Sequence, residues 1–426
     1  MKLDVLGLIG ACSYALDCVE AELAHSTNKH SKRVAYMSVC VAINMGINGE
    51  SLQDLTVCAL MHDNALTQYI QEELHNNINN IDSSHKLPQI GSHCTIGEDN
   101  IKKLPFNTDV KNVILYHHEN ADGSGIFGKK WNEIPLFSRI IHMCDILDLT
   151  CCNAIKSDSM TNENCTLNST DKTNNTNKYI KYWNRIKHFF SKAHGRVVDD
   201  ECIEAFLDTF SCDNIYELDD DNIEKNLWSR VPRQSKNLSF MQVKQIAEFF
   251  AGIVDYKSPF TSTHSLGVAK DAEKISRYMG LGDDIAEKMY LAGALHDIGK
   301  VAIGNNILEK PDKLTDEEYS VMKHHAAYTY YILSDINDFE NIRDWAAFHH
   351  ERLDGTGYPF GKKAAELNTE ERIMACADIY QALTESRPYK KGMSHNKACS
   401  IMYDMAQKGW IDERIVKNID KCFYVE

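Results

Sequence analysis

The apolar positions of this chain recur at helical spacing almost throughout, and strand-like alternation is scarce. LTVCALMH (55–62) and MYLAGALH (289–296) are apolar helical runs, each ending on a histidine followed by an aspartate. YSVMKHHAAYTYYIL (319–333) and IRDWAAFHH (342–350) also predict helices. The first 23 residues, MKLDVLGLIGACSYALDCVEAEL, form an amphipathic stretch bracketed by Asp4 and Asp17. Gly299, Gly355 and Gly357 are natural helix terminators or turn residues. Thr315 or Asp316, with Glu318 inside the first turn, is an N-cap signal. The expected fold class is all-α.

The pattern is also written twice. Residues 117–127 read HHENADGSGIF and residues 349–359 read HHERLDGTGYP, 232 positions apart. At nearly the same offset, 232 to 234, His264 falls on His30, His296-Asp297 on His62-Asp63, His325 on His93, and Asp378 on Asp145. The tails agree as well: AHGRVVDDECIEAFLDTF (193–210) resembles MAQKGWIDERIVKNIDKCF (405–423). Two tandem helical domains related by internal duplication are the simplest account. The first is placed at 1–225, a linker around Val231-Pro232 at 226–239, and the second at 240–426. KSDSMTNENCTLNSTDKTNNTNK (156–178) has almost no core-forming residues and reads as a flexible insertion in the first domain.

Each half therefore carries five histidines and two aspartates in step. In the second half these are His264, His296, Asp297, His325, His349, His350 and Asp378; in the first, His30, His62, Asp63, His93, His117, His118 and Asp145. The repeat selects His325 over its neighbour His324. One histidine on an apolar helix is usually a core or surface residue; a duplicated set with two carboxylates is a ligand set. Imidazole and carboxylate together suit Fe, Mn, Zn, Ni or Co. Seven ligands are too many for one such ion with an open position, and fit two ions sharing a carboxylate. Two ions roughly 3.5–4 Å apart can hold a hydroxide nucleophile and neutralise an attacked phosphate. Asp297, adjacent to His296, is placed to bridge.

Charge narrows the substrate. Lys and Arg number 46 against 61 Asp and Glu, so the formal net charge is 46 − 61 = −15. That balance disfavours polymeric nucleic acid and anionic membranes as partners, and leaves room for a small phosphate ligand. The 14 cysteines show no CxxC spacing, the start lacks a basic n-region, and no apolar run reaches about 18 residues. A reducing cytoplasm with mostly free thiols is expected. Cys151-Cys152 is the one vicinal pair open to a redox reading; ordinary buried thiols are the default.

The second half resembles the HD-GYP family of metal-dependent phosphohydrolases. The resemblance rests on HDIGK (296–300), HHERLDGTGYP (349–359) and ADIYQALTESRPYKKG (377–392), with SPFTSTHSLGVA (258–269) and MKHHAAYTYYIL (322–333) as its further ligand segments. The first half resembles a divergent copy over about residues 5–215. The resemblance implies an all-helical enzyme that hydrolyses cyclic dinucleotides, with cyclic di-GMP opened to linear pGpG the usual case. It implies one metal on His264, His296 and Asp378, another on His325, His349 and His350, and Asp297 between them, with Fe or Mn the expected ions. It places Lys300 at the scissile phosphate and Arg387 with Lys390 on the phosphate or guanine side. Gly355, Gly357 and Tyr358 shape the loop over the site. Catalysis would fall to Asp297 and Lys300. A compact ammonium and a guanidinium fork are the cations suited to these tasks.

Departures qualify the expectation. A third-metal glutamate of some family members is replaced by Phe260, and by Ser26 in the first half, so two metals and a linear product are expected. The first half puts Leu66 where Lys300 stands, ends its loop on Ile126-Phe127, and has no counterpart of RPYK. It is expected to be a structural or dimerising copy, with a regulatory metal or nucleotide site as the second reading. Three alternatives stay open: a 3′3′-cyclic GMP-AMP phosphodiesterase, a cyclic-dinucleotide-binding signalling scaffold with little turnover, and a broader nucleotide phosphohydrolase. A homodimer is compatible with all of them.

Overall fold

The computed structural model describes residues 1–23, 29–66, 91–152, 172–257, 264–308, 310, 312–386 and 391–424. Their architecture is helical. Among the described residues the only strands are Lys2–Leu3 and Lys236–Asn237, an antiparallel pair with Lys2 opposite Asn237. No helix of the described residues is long and apolar enough to cross a membrane.

The chain divides into two compact units. One comprises Met1–Ala15, Lys103–Pro105 and Gln234–Glu426, the other Leu16–Lys102 and Phe106–Arg233. The division near Arg233 falls within the stretch read as a linker, whose first residues belong to the helix Ile223–Arg230. The extreme N-terminus joins the later unit. There the Met1 amine donates to the Leu238 carbonyl at 2.9 Å, and Asp4 accepts from Asn337 Nδ2 at 2.9 Å. A two-residue strand carries no alternation, so periodicity gives no sign of this pairing.

In the later unit the helix His264–Tyr278 packs on Asp283–Leu295 and on Thr369–Thr384. Its buried side includes Val268, Ala272 and Ile275. The first two of these helices approach closely at Gly293, where an added Cβ would lie 2.7 Å from the Ala269 Cα. That contact sits one turn before His296. The 319–333 run is two helices, Asp316–Met322 and His324–Leu333. Thr315 caps the first, its hydroxyl accepting from Glu318 N at 3.3 Å while Glu318 accepts from Thr315 N at 2.8 Å. The break at Lys323 puts His325 in the opening turn of the second.

In the other unit the helix His30–Asn44 is buried along most of its length and packs on Gly49–Leu60, Leu136–Leu147, Asp200–Thr209 and Ile223–Arg230. The two tails correspond down to their caps: Asp199 accepts from Cys202 N at 3.1 Å and Asp412 from Arg414 N at 2.9 Å. Their offset is 412 − 199 = 213, against 378 − 145 = 233 for the last paired aspartates. The first copy thus carries twenty extra residues between those points. This matches the low-complexity stretch, of which 156–171 lies outside the described residues and the rest opens the helix Lys172–Ala193.

Candidate metal centre

Helix ends deliver all but one of the second copy's donors. His264 opens one helix, His296 and Asp297 follow the end of Asp283–Leu295, His349 and His350 follow Glu340–Ala347, and Asp378 lies within Thr369–Thr384. The ligand atoms fall into the groups the motifs imply. Those of His264, His296 and Asp378 lie within 4.8 Å of one another, as do those of His325, His349 and His350. Between the groups, Asp297 turns Oδ2 to His296 Nε2 at 3.2 Å and Oδ1 to His325 and His349 Nε2 at 3.5 and 4.0 Å. His264 Nε2 lies 3.1 Å from Asp378 Oδ1, and His350 Nδ1 3.9 Å from Asp378 Oδ2. His324 belongs to none of these groups.

The donor set fits a metal. His296, His325 and His349 each place Nδ1 at 2.6–2.7 Å from the backbone carbonyl three residues earlier. A carbonyl only accepts, so Nδ1 carries the proton and Nε2 turns a bare lone pair inward. The Nε2 atoms of His325 and His349 then face each other at 3.3 Å. Two lone pairs repel at that distance, whereas ligand atoms on one cation with bonds of about 2.0–2.2 Å sit at such separations. Burial pushes the imidazoles of His325 and His349 down, and that of His350 to about 4, so all three stay neutral. Burial alone would raise the Asp297 carboxyl, but His296 and Lys300 hold it well below the carboxylate range. Burial likewise opposes protonation of His264, yet Asp378 and Glu385 raise it to about 9.

Lys300 stands 2.5 Å from Asp297 Oδ2, its side chain a fifth exposed. A cavity of about 410 Å³ opens beside His350, lined also by Tyr319, Lys323, Arg352, Tyr358 and Met405. The Tyr358 ring centroid is 4.7 Å from that of His350. Gly355 has φ +81°, and a Cβ on Gly357 would lie 2.3 Å from Arg352 N. Arg387 and Lys390 lie outside the described residues.

The first copy repeats the cage. His30 Nε2 is 3.3 Å from Asp145 Oδ1, His62 is 3.6 Å from Asp63, and His93 and His117 face Asp63 Oδ1 at 3.4 and 3.3 Å. His118 lies 3.8 Å from Asp145. Nδ1 of His62 and of His117 is again committed to a carbonyl, at 3.0 and 2.6 Å. Buried His62 Nε2 and Asp145 Oδ1 make no hydrogen bond. Such groups are rarely left so without an ion or water. Leu66 occupies the place of Lys300, without a charge to offer.

Several site residues were not singled out by sequence reasoning. The Glu351 carboxylate accepts from the backbone N–H groups of Phe360 and Lys362 at 2.7 and 2.9 Å and ties down the glycine loop. Glu119 does the same for Phe127 and Lys129 at 2.7 and 2.6 Å. The shared HHE of the two phrases was the signal. Behind the leading histidines sit Asp148, 2.7 Å from His30 Nδ1, and Glu385, 3.4 Å from His264 Nδ1. They hold different positions in the two copies, so the repeat hides them. Cys94 joins His93, His117 and His118 in a four-donor group. Burial raises its thiol, but hydrogen bonds with His117 and His93 outweigh that and bring it to about 7.

A model of the HD domain family matches residues 17–170 and again 248–415. The chain belongs to the HD domain family. Both HD copies are matched, and the second carries HDIGK (296–300) and HHERLDGTGYP (349–359). Among curated proteins, the 3′3′-cGAMP-specific phosphodiesterase 1 of Vibrio cholerae is 28% identical over 399 residues, covering 91% of this chain and 85% of that one. The 3′3′-cGAMP-specific phosphodiesterase 3 of the same organism is 31% identical over 325 residues, covering 74% and 63%. The cyclic di-GMP phosphodiesterase PA4108 of Pseudomonas aeruginosa is 39% identical over 164 residues, 38% of this chain and 39% of its own length. A crystal structure of the Vibrio cholerae cyclic GMP-AMP phosphodiesterase V-cGAP3 shares the fold, with a TM-score of 0.63 and 23% identity over 99% of this chain and 97% of that one.

Proposed function

We propose that the second HD copy is a phosphodiesterase that opens a cyclic dinucleotide to its linear form. The observation that carries this is the position of Lys300, 2.5 Å from the carboxylate that joins two groups of metal-ligand donors. Bound there, two divalent ions such as Fe or Mn supply a nucleophile at neutral pH and neutralise the attacked phosphate. His264, His296 and Asp378 would hold one, His325, His349 and His350 the other, with Asp297 shared. Lys300 meets the charge that grows on the phosphate oxygens, and Tyr358 gives a face against which a base can stack. Arg387 and Lys390, by the family resemblance, would hold the phosphate or guanine side of the ligand.

Cyclic di-GMP is the substrate the HD-GYP motifs imply. A specific observation favours a second substrate, 3′3′-cyclic GMP-AMP. The two named relatives aligned over most of this chain are cGAMP-specific enzymes, whereas PA4108, a cyclic di-GMP enzyme, aligns over only 38% of it. The test is side-by-side turnover of both nucleotides by anaerobically prepared chain loaded with Mn or Fe, with products identified. Linear dinucleotide is expected; tight binding without product would replace the enzyme with a signalling scaffold. The first copy, with its ligand cage and Leu66, is assigned a metal-holding role without catalysis.

A further inference from the structure

We propose that Cys94 is a metal ligand, which with His93, His117 and His118 closes one half of the first copy's centre into a non-catalytic zinc site. This rests on the reading that the first copy holds metal. The four side chains come from two segments, the start of the helix Gly91–Ile101 and the HHENADGSG phrase, and all their donor atoms lie within 4.8 Å of one another. Cys94 and His117 are fully buried, and His93 nearly so.

The geometry matches two ligands on one ion. Cys94 Sγ lies 3.6 Å from His93 Nε2. Zinc bonds of about 2.3 Å to sulfur and about 2.0–2.1 Å to imidazole, opened to a tetrahedral angle, separate the two atoms by about 3.6 Å. The offset that aligns His93 with His325 aligns Cys94 with Ala326. A methyl group cannot ligate, so the second copy's half-site has three imidazoles, the shared Asp297 and a position left for water or substrate. In the first copy a thiol joins the same three imidazoles, and these four donors complete a tetrahedral set without Asp63.

That one change alters both selectivity and chemistry. Thiolate is a soft ligand and shifts a nitrogen-and-oxygen site toward zinc. Filling the last position also removes the opening that catalytic sites keep. The loss of a cation at Leu66 and of the loop tyrosine at Ile126 goes in the same direction: this half retains the means to hold an ion and lacks those to present a phosphate to it.

Cobalt(II) loading of the full chain tests the proposal without recourse to activity. A thiolate-to-cobalt charge-transfer band is expected in the near ultraviolet. Cys94→Ser should abolish it with the protein folded, and Cys422→Ser should leave it intact. Zinc retention against a chelator should fall by more than the roughly 10–100-fold cost of losing a supporting partner. If His117→Ala lowers metal content but Cys94→Ser leaves band and retention unchanged, Cys94 is no ligand while the first-copy metal reading survives. If His117→Ala changes neither metal content nor spectrum, the first copy holds no metal and both fall.

Discussion

One carboxylate oxygen of Asp297 lies 3.2 Å from Nε2 of His296, and the other faces His325 at 3.5 Å. A single side chain thereby touches both donor groups. Asp297→Ala is expected to strip both ions and bring hydrolysis to background. Asp63 has the same relationship to His62 and His93, at 3.6 and 3.4 Å, but Leu66 stands in the sequence position of Lys300. Asp63→Ala should therefore lower metal content and leave most turnover. Metal analysis beside initial rates checks this, and equal loss of activity from both changes would reject the division of labour.

Lys300 separates metal holding from phosphate handling. Its ammonium reaches Asp297, but it belongs to neither donor group. Lys300→Met should keep two ions in the second copy and lower kcat by about 10²–10³, the range for losing one preorganised charge at the transition state. Loss of the ions together with activity would make the lysine a structural partner of Asp297 instead. The reciprocal Leu66→Lys should confer no turnover on the first copy, whose loop ends on Ile126-Phe127.

The clustering of donors was legible because duplication writes it twice: seven residues repeated at nearly constant spacing are a pattern no single histidine provides. The helices that end just before His62 and His296 were equally plain, since their apolar runs are long and uniform. What stayed hidden depends on three-dimensional proximity or on differences between the copies. Cys94 is invisible to a repeat whose partner is Ala326. Asp148 and Glu385 reach equivalent histidines from different positions. The strand Lys2–Leu3 is too short to have a period, and its partner Lys236–Asn237 lies in a stretch read as linker.

The glutamate of each HHE phrase offers a matched pair of tests. Glu351 and Glu119 each bind two loop N–H groups, so Gln in either position sets an amide donor against one of them. An unsatisfied buried donor costs about 1–3 kcal/mol. Glu351→Gln should raise KM while metal content holds, because the loop carrying Tyr358 loses its tether. Glu119→Gln should bring a comparable loss of thermal stability and leave KM unchanged. A rise in KM from Glu119→Gln would mean that the first copy's loop serves the reaction.

His142 gives the first copy a measurable response to acid. It is buried, with Nδ1 3.0 Å from the His117 carbonyl, and burial pushes its imidazole down to about 4. In the unfolded chain the same group titrates near 6.5. As pH falls through 6.5, the unfolded state takes up a proton that the folded state refuses until about 4. The stability conferred by a neutral His142 is thus present above 6.5 and is lost progressively between 6.5 and 4. The full loss is about 3 kcal/mol, from 1.36 kcal/mol for each pKa unit. His142→Gln cannot titrate, so the stability difference between wild type and variant should shift against the wild type by up to this amount across that window. Urea unfolding of both proteins at pH 7, 5.5 and 4 measures the difference directly. A difference that stays constant would show that His142 is protonated as readily in the folded chain as in the unfolded one.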